Sequence, residues 1–516
     1  MTLEHNCIIK KHKIQRLPQV SRLRHFAVCT KNTENILEKV PEKGIMSKIA
    51  ELIKYRQIKD NFIDSVGDET MEQQHMFTNR MIRNLLVPVV LEQILNSIMG
   101  TADTMMVSNV GSAALSAVSL VDSINVLLIQ AFSALAAGGA IVCAQYIGQR
   151  NYEKANMSAR QVLFIITAIS VVVSAVCLIF QKPLLRLIFG AVDADVMRAS
   201  EIYFFFTALS FPFIAAYDSA ASIFRAQENT KGPMTISMIS NIMNIGGNAV
   251  LIWVFHLGVA GAAISTLVSR IFCAVVVLWQ LRKDRQPVVV KDYLKIRPDW
   301  SMIGRILGLG IPSGIENSMF QLGKLAIQST VSTLGTAAIA AQAMTNILEN
   351  LNGIAAIGVG VGLMTIVGQC LGAGRKDEAV YYIKKLCVIA EAVIIVSCLI
   401  VYILVRPVTI LGGMESTSAE MCIHMITWIT IVKPVVWTMA FVPGYGLRAA
   451  GDVKFSMITS CCTMWACRFC LCVFLIRVLG FGPMGVWIGM FADWTVRGII
   501  FTWRFHSRKW LEHKVI

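Results

Sequence analysis

The chain is expected to be an all-α polytopic membrane protein: twelve transmembrane helices in two pseudo-symmetric six-helix lobes around a central cleft. Three observations carry this expectation. First, 55% of its 516 residues are hydrophobic and only 15% are charged, against about 25% in soluble domains, and mean hydropathy is +0.61. Second, apolar stretches of spanning length recur from about residue 84 to the C-terminus. Third, the second half of the sequence repeats the first. Composition excludes a soluble enzyme and a disordered chain. The recurrence excludes a soluble domain carried on a single anchor.

A spanning helix needs about 20 apolar residues. Twelve segments qualify: roughly 84–107, 117–143, 160–181, 198–223, 233–255 and 259–281, then 304–331, 339–368, 385–405, 418–446, 453–476 and 484–505. Several contain Pro or Gly, which membrane helices tolerate when neighbours re-satisfy the freed backbone groups. Loops after even-numbered spans are basic, holding Arg150 and Lys154, Arg225 and Lys231, Arg282 to Arg305, Arg375 to Lys385, and Arg448 with Lys454. Loops after odd-numbered spans hold only Lys182, Arg186, Arg198, Arg406 and Arg477. The positive-inside rule therefore places the even loops and both termini in the cytoplasm, in a cell (plasma or inner) membrane.

Residues 1–82 hold 14 Lys/Arg against 10 Asp/Glu and no apolar run of signal or spanning length. They are expected to form a basic, disordered cytoplasmic extension, followed by lobes at 83–290 and 291–516. Ile49, Leu52, Ile53, Ile58 and Phe62 also admit a short surface helix, and a functional start at Met71 or Met81 is a further reading. The net charge of +15 reports topology, so no nucleic-acid partner is expected. The cysteines sit mostly in apolar runs, where a thiol acts as a small hydrophobe. Cys467-x-x-Cys470 lacks the second pair or spaced His that a metal motif needs.

The repeat is gapless over nearly 70 residues. An offset of 224 carries Pro88-x-x-x-Glu92 onto Pro312-x-x-x-Glu316, Gly111 onto Gly335, Gln145-x-x-Gly148 onto Gln369-x-x-Gly372, and Ala155 onto Ala379. Arg225 and Lys231 match Arg448 and Lys454 at an offset of 223. Six spans per repeat is an even number, so both halves enter the bilayer in one orientation and face each other across a cavity. Duplicated bundles of this kind are hardware for alternating access, although a fold alone does not prove transport.

Ionisable groups inside the hydrocarbon region are costly and point to function by default. Span 1 places Glu92, Asn96 and Asp103 on one face, and span 5 repeats the idea with Asn241, Asn244 and Asn248. Span 7 carries Asn317, Gln321, Lys324 and Gln328 on one face beside Glu316, and span 8 aligns Gln342, Asn346 and Glu349. Asp122, Asp218, Lys433, Arg468, Asp493 and Arg497 complete the set. Any of these can simply glue helices together, and for Glu92 both readings stand. For Asp103 the functional reading leads, because Arg160, Arg198 and Arg270, the cations of its own half's spans, are placed near membrane edges. It could exchange a proton or hold Na⁺ with neighbouring amide oxygens. The mixed charges of the second half read as a paired network, structural or cavity-lining.

These residues carry a resemblance. Pro88…Glu92…Asp103-Thr-Met-Met-Val-Ser-Asn-Val-Gly111 resembles the first span of multidrug and toxic-compound extrusion (MATE) family transporters of bacterial type. Gln145-Tyr-Ile-Gly148-Gln-Arg-Asn151-Tyr-Glu-Lys-Ala155 resembles that family's loop after span 2, and the segments around Arg225 and Arg448 resemble its motifs after spans 4 and 10. The match covers about 83–505. It implies two six-helix lobes in a V and export of amphipathic or cationic organic compounds in exchange for H⁺ or Na⁺, with no other cofactor, by a monomer in the bilayer. One branch of the family uses a cation site of a span-1 Asp, two polar residues of span 5 and a span-6 Thr. Asp103, Asn244, Asn248 and Thr266 occupy those positions here. Many relatives carry Asp where this chain has Asn248, which lowers the charge offered to Na⁺ and favours proton coupling through Asp103. Other members use a span-7 Glu, and Glu316 lies in span 7 at a different position.

Glu92, Asn96, Glu316, Gln321, Lys324, Gln342, Asn346, Glu349, Lys433 and Asp493 are candidate cavity or coupling residues. Two rivals remain. A flippase or exporter of lipid-linked saccharides would show a more cationic cavity than the cation-poor first half provides. A membrane transferase would need a catalytic cluster, yet His256, His424, His506 and His513 form no close pair. The chain is therefore not expected to be an enzyme, and with no Gly-x-x-x-x-Gly-Lys-Ser/Thr nucleotide motif, ATP-driven transport would need a separate subunit.

Overall fold

Thr78 starts the first spanning helix by accepting a hydrogen bond from the Met81 N–H (3.2 Å). In the computed structural model, which describes residues 75–516 apart from 191, 284–285, 292 and 294–296, all regular structure is helical. The expected extension lies, as far as residue 74, outside the described residues.

The twelve spans follow the sequence order. In the first lobe span 1 is Asn79–Ser108, span 2 Ser112–Gly148 and span 3 Tyr152–Ile179. Span 4 is Ala194–Leu209 with Phe211–Ala226, span 5 Lys231–Ala249 with Val250–Val254, and span 6 Gly258–Leu281. In the second lobe spans 7 to 10 are Trp300–Val331, Thr336–Gly372, Lys376–Leu411 and Ser416–Ala449. Span 11 is Val453–Cys462, Thr463–Cys470 and Leu471–Arg477, and span 12 is Met484–His506. Nine of these helices are long and apolar enough to cross a membrane, ten if the bent halves of span 4 count as one. Spans 7 and 12 fall outside that set, and these are the helices that carry the Asn317–Gln328 stripe and the Asp493/Arg497 pair.

The repeat is visible in the caps. Spans 2 and 8 are each entered through a glycine, Gly111 (φ 139°) and Gly335 (φ 91°). An L side chain is strained in that backbone region, which explains why this glycine is carried over at the 224 offset. Asn151 caps span 3 by accepting from the Lys154 N–H (3.1 Å), and Asp299 caps span 7 by accepting from the Ser301 and Met302 N–H groups.

Local breaks occur where sequence periodicity does not show them. Span 4, expected as one helix, bends by 42° between its halves. Pro212 opens the second half, and Arg270 donates to Ser210 Oγ at the bend (2.7 Å). Arg270 was expected near a membrane edge. It lies instead midway along span 6, where its guanidinium serves this bend. Spans 5 and 11 both loosen into π-helix, over Val250–Val254 and Thr463–Cys470. A short helix, Gln181–Phe189, joins spans 3 and 4.

The lobes meet along two seams related by the repeat, span 2 against span 7 and span 1 against span 8, and also where spans 2 and 8 meet each other. In a bilayer, small residues let helices approach and gain van der Waals contact. A Cβ on Gly138 would stand 2.6 Å from the Gly310 backbone nitrogen, and one on Gly358 would stand 2.9 Å from the Val90 Cα.

Candidate functional site

In the first lobe four polar residues from three helices form one chain of hydrogen bonds. Asn248 Nδ2 donates to Asp103 Oδ1 (2.6 Å) and to Asn244 Oδ1 (3.3 Å), and Asn244 Nδ2 donates to Thr266 Oγ1 (3.2 Å). Asn244 and Asn248 are four residues apart on span 5, one helical turn, so both face the gap between spans 1 and 6. Both are buried, whereas Asp103 is half-buried. The Asn248 Oδ1 is buried without a hydrogen-bond partner. Among the described residues no three His, Cys, Asp or Glu side chains group to hold a metal ion. A hard cation here would therefore draw on one carboxylate, two amides and a hydroxyl. Asn96 lies two turns before Asp103 on span 1, nearer the basic-loop end, accepting from Ser237 Oγ (2.8 Å) and Asn241 Nδ2 (3.2 Å).

Glu92 and Glu316 are placed by the repeat into equivalent ion pairs. Glu92 meets Arg225 at 3.3 Å and accepts from the Tyr217 hydroxyl (3.2 Å), tying span 1 to span 4. Glu316 meets Arg448 at 2.9 Å, tying span 7 to span 10. Both carboxylates are buried. Glu92→Ala is therefore expected to destabilise the protein by about 3 kcal/mol, the cost of leaving Arg225 unpaired. Thermal unfolding in detergent would measure it, with Glu92→Ala/Arg225→Ala recovering part of the loss.

Next to these pairs the two lobes are fastened together. Gln145 Nε2, in the last turn of span 2, donates to the Ala449 carbonyl at the end of span 10 (2.9 Å). Its repeat mate Gln369 Nε2 donates to the Ala226 carbonyl at the end of span 4, also at 2.9 Å. Between them Gly148 and Gly372 let spans 2 and 8 touch: a Cβ on Gly148 would overlap the Gln369 carbonyl, and one on Gly372 the Gln145 carbonyl. The cleft is thus sealed at the end that bears the basic loops. Glu228, in the loop after span 4, lies beside Gln369. Burial pushes its carboxyl above the ordinary carboxylate range, and the Gln369 hydrogen bond opposes the shift. Its stabilising contribution is complete below the usual Glu value and is lost as pH rises through the raised one. Glu228→Gln, which stays neutral, should accordingly raise the melting temperature more at pH 8 than at pH 4.

Towards the opposite end the cleft opens into a cavity of about 470 Å³. Thr104, Asp122, Gln321, Lys324, Gln328, Gln342, Asn346, Glu349 and Arg468 line it, together with apolar Leu325, Val486 and Met490. Asp122 accepts from Asn125 (3.1 Å) and Tyr203 (3.3 Å). Glu349 pairs with Lys433 (2.7 Å), and behind the wall Asp493 pairs with Arg497 (2.8 Å). Gln342 accepts from Trp487 Nε1 (3.1 Å) and donates to Asn346 (3.4 Å).

The residues picked from sequence thus divide into three groups. Asp103, Asn244, Asn248 and Thr266 come together. Gln321, Lys324, Gln342, Asn346 and Glu349 line the cavity, with Lys433 behind Glu349. Glu92, Glu316 and Asp493 are held in ion pairs. Sequence reasoning missed Arg225 and Arg448 as partners of the two glutamates, and Gln145 and Gln369 as the fastening between lobes. The signal was available, since all four recur in register.

A MatE family model matches residues 88–250 and 312–474, two segments shifted by the same 224 positions as the repeat. The Bacillus subtilis protein named "Uncharacterized transporter YisQ" is 27% identical over 83% of this chain and 94% of its own length. The Thermotoga maritima "Probable multidrug resistance protein NorM" is 23% identical over 84% of this chain and 93% of its own. A solved structure described as the outward-facing conformation of a multidrug resistance MATE family transporter of the MOP superfamily superposes with a TM-score of 0.77 at 19% identity, covering 83% of this chain and 96% of the other. A MATE crystal structure in the straight conformation gives 0.75 at 19%, with the same coverage.

Proposed function

Because this chain belongs to the MatE family, whose model matches both of its halves, we propose that it is a secondary active efflux transporter. It exports amphipathic and cationic organic compounds in exchange for H⁺ or Na⁺ by alternating access. The observation that carries this reading is the connected set Asp103–Asn248–Asn244–Thr266 in a lobe whose cleft is sealed at one end and open towards the other. The basic-loop end is cytoplasmic, the lobes are 83–290 and 291–516, residues 1–82 are a cytoplasmic extension, and the protein works as a monomer.

In this cycle Asp103 takes up the coupling ion from the outer side while the Gln145 and Gln369 fastening holds the inner side shut. Ion uptake weakens the hold of the first lobe on substrate. After release the fastening parts, the ion leaves to the cytoplasm, and a new substrate enters. A ligand drives such switching only through its different affinity for the two states. A single carboxylate in the cluster supports H⁺, while the unpartnered Asn248 Oδ1 is the feature that would serve Na⁺. A second reading, export of a lipid-linked saccharide, draws support from the cations Lys324 and Arg468 on the cavity wall.

Purified protein in proteoliposomes loaded with ethidium tests the proposal. An imposed pH or Na⁺ gradient is expected to accelerate dye movement over protein-free vesicles. If neither gradient does so, the antiport reading fails.

A further inference from the structure

Among the described residues, Lys324, Glu349 and Arg468 of the second lobe line the cavity, with Lys433, Asp493 and Arg497 paired nearby. Two ion pairs, Glu349–Lys433 and Asp493–Arg497, account for four of them. Lys324 and Arg468 remain, and the described residues offer neither a hydrogen bond nor an ion pair. Arg468 is only 7% exposed, and its Nε is buried with no hydrogen-bond partner. The Phe320 ring, 5.6 Å from its guanidinium carbon, provides a cation–π contact. Such a contact eases the burial of charge but leaves directed N–H donors unmet. A guanidinium cannot shed its proton to escape the cost.

The surroundings of these two residues look built. Both line the same cavity, and Lys324 is exposed to it. Arg468 is carried on the π-helical stretch Thr463–Cys470, a conformation that concentrates at functional sites. The repeat does not explain them: 224 residues before Lys324 stands Gly100. The nearby carboxylates hydrogen-bond elsewhere, Asp122 with Asn125 and Tyr203, Glu349 with Lys433 and Asp493 with Arg497, so Glu349 and Asp493 ease the two charges only through space and leave their N–H donors unmet.

We propose that Lys324 and Arg468 form an oxyanion-binding subsite, so that the amphipathic compounds taken into the cleft include ones that carry a carboxylate or phosphate group on an apolar body. The guanidinium fork matches a planar oxyanion with two parallel hydrogen bonds, and the lysine adds a point charge. Gln321 and Gln328 offer amide donors beside it, and Leu325, Val486 and Met490 meet the apolar part. This deepens the transport reading and rests on it only for treating the cavity as a substrate site.

Equilibrium binding separates the two ideas, because it needs neither a gradient nor turnover. Dansyl-phenylalanine and its neutral amide differ by one carboxylate, and their fluorescence anisotropy can be followed on the purified full-length protein in a nonionic detergent. Wild type is expected to bind the acid about tenfold or more tightly than the amide, the scale of one charge-assisted contact. Arg468→Gln and Lys324→Gln should each erode that preference and the double variant remove it, with amide affinity unchanged. Lys324→Arg, which keeps the charge, should retain it, and this variant guards against misreading a folding defect. Displacement of the acid by lyso-phosphatidylglycerol but not lyso-phosphatidylcholine would identify a lipid headgroup as the natural oxyanion. Resistance to both lipids would identify a soluble acid. Equal binding of acid and amide by wild type, or a preference that survives in the double variant, overturns the subsite whether or not ethidium transport is coupled to an ion.

Discussion

Asp103→Asn is expected to lose gradient-driven export while keeping substrate binding. Asparagine preserves the shape and can still hydrogen-bond to Asn248, the partner 2.6 Å away in the native protein. It can neither take up a proton nor offer a charge to Na⁺. Coupling between two ligands on one carrier typically amounts to about 1–3 kcal/mol, or about 5- to 150-fold. The stimulation of ethidium movement by an imposed gradient should fall by that order, with equilibrium binding changed much less. Stimulation equal to wild type under both gradients would show that the ion is handled elsewhere. Thr266→Ala and Asn244→Ala should give smaller losses, since neither removes the carboxylate and their links to Asp103 run through Asn248.

The second large effect is expected at the sealed end. In Gly148→Ala the new methyl would overlap the Gln369 carbonyl, and in Gly372→Ala it would overlap the Gln145 carbonyl. Because the obstacle is main chain, no rotamer change relieves it. Overpacking of this kind costs about 1–3 kcal/mol, which lowers the ratio of closed to open protein by about 5- to 150-fold. Faster amide hydrogen exchange in the last turns of spans 2 and 8 would register the change. The repeat predicts similar effects from the two variants, and a control is available in Gly100→Ala, whose methyl meets nothing within 4 Å. Unchanged exchange in both variants would show that the glycines do not hold the seal.

Much of the architecture was legible because the relevant signals are one-dimensional. Span length follows from bilayer thickness, and the repeat follows from Pro, Glu, Gln and Gly recurring in register. The cluster around Asp103 was legible through its likeness to a family pattern, and helical spacing alone would have placed only Asn244 and Asn248 together. What stayed hidden depends on contacts between distant segments. Glu92 looked equally suited to glue and to function until Arg225, 133 residues away, was seen at its carboxylate. The mixed charges of the second lobe could not be sorted, because pairing depends on where helices cross. Glu349 finds Lys433 across 84 residues, whereas Arg468 makes no ion pair among the described residues and its Nε is unpartnered. The break in span 4 was hidden for another reason: an apolar run reads the same whether straight or bent, and Pro212 does not single it out, because Pro88, Pro312 and Pro407 lie inside unbroken spans.

The fastening between the lobes has one more consequence. Its donors are side chains, Gln145 and Gln369, but its acceptors are main-chain carbonyls of residues 449 and 226. A carbonyl is supplied by whatever residue stands there, so half of this latch is immune to mutation as long as spans 4 and 10 end where they do. Substitutions at Ala226 and Ala449 would act through bulk alone, and loss of the latch by a polar change is confined to two glutamines. The duplicated chain can therefore diversify its cavity walls, as Lys324 opposite Gly100 in the repeat shows it has, while its lock at the basic-loop end drifts little.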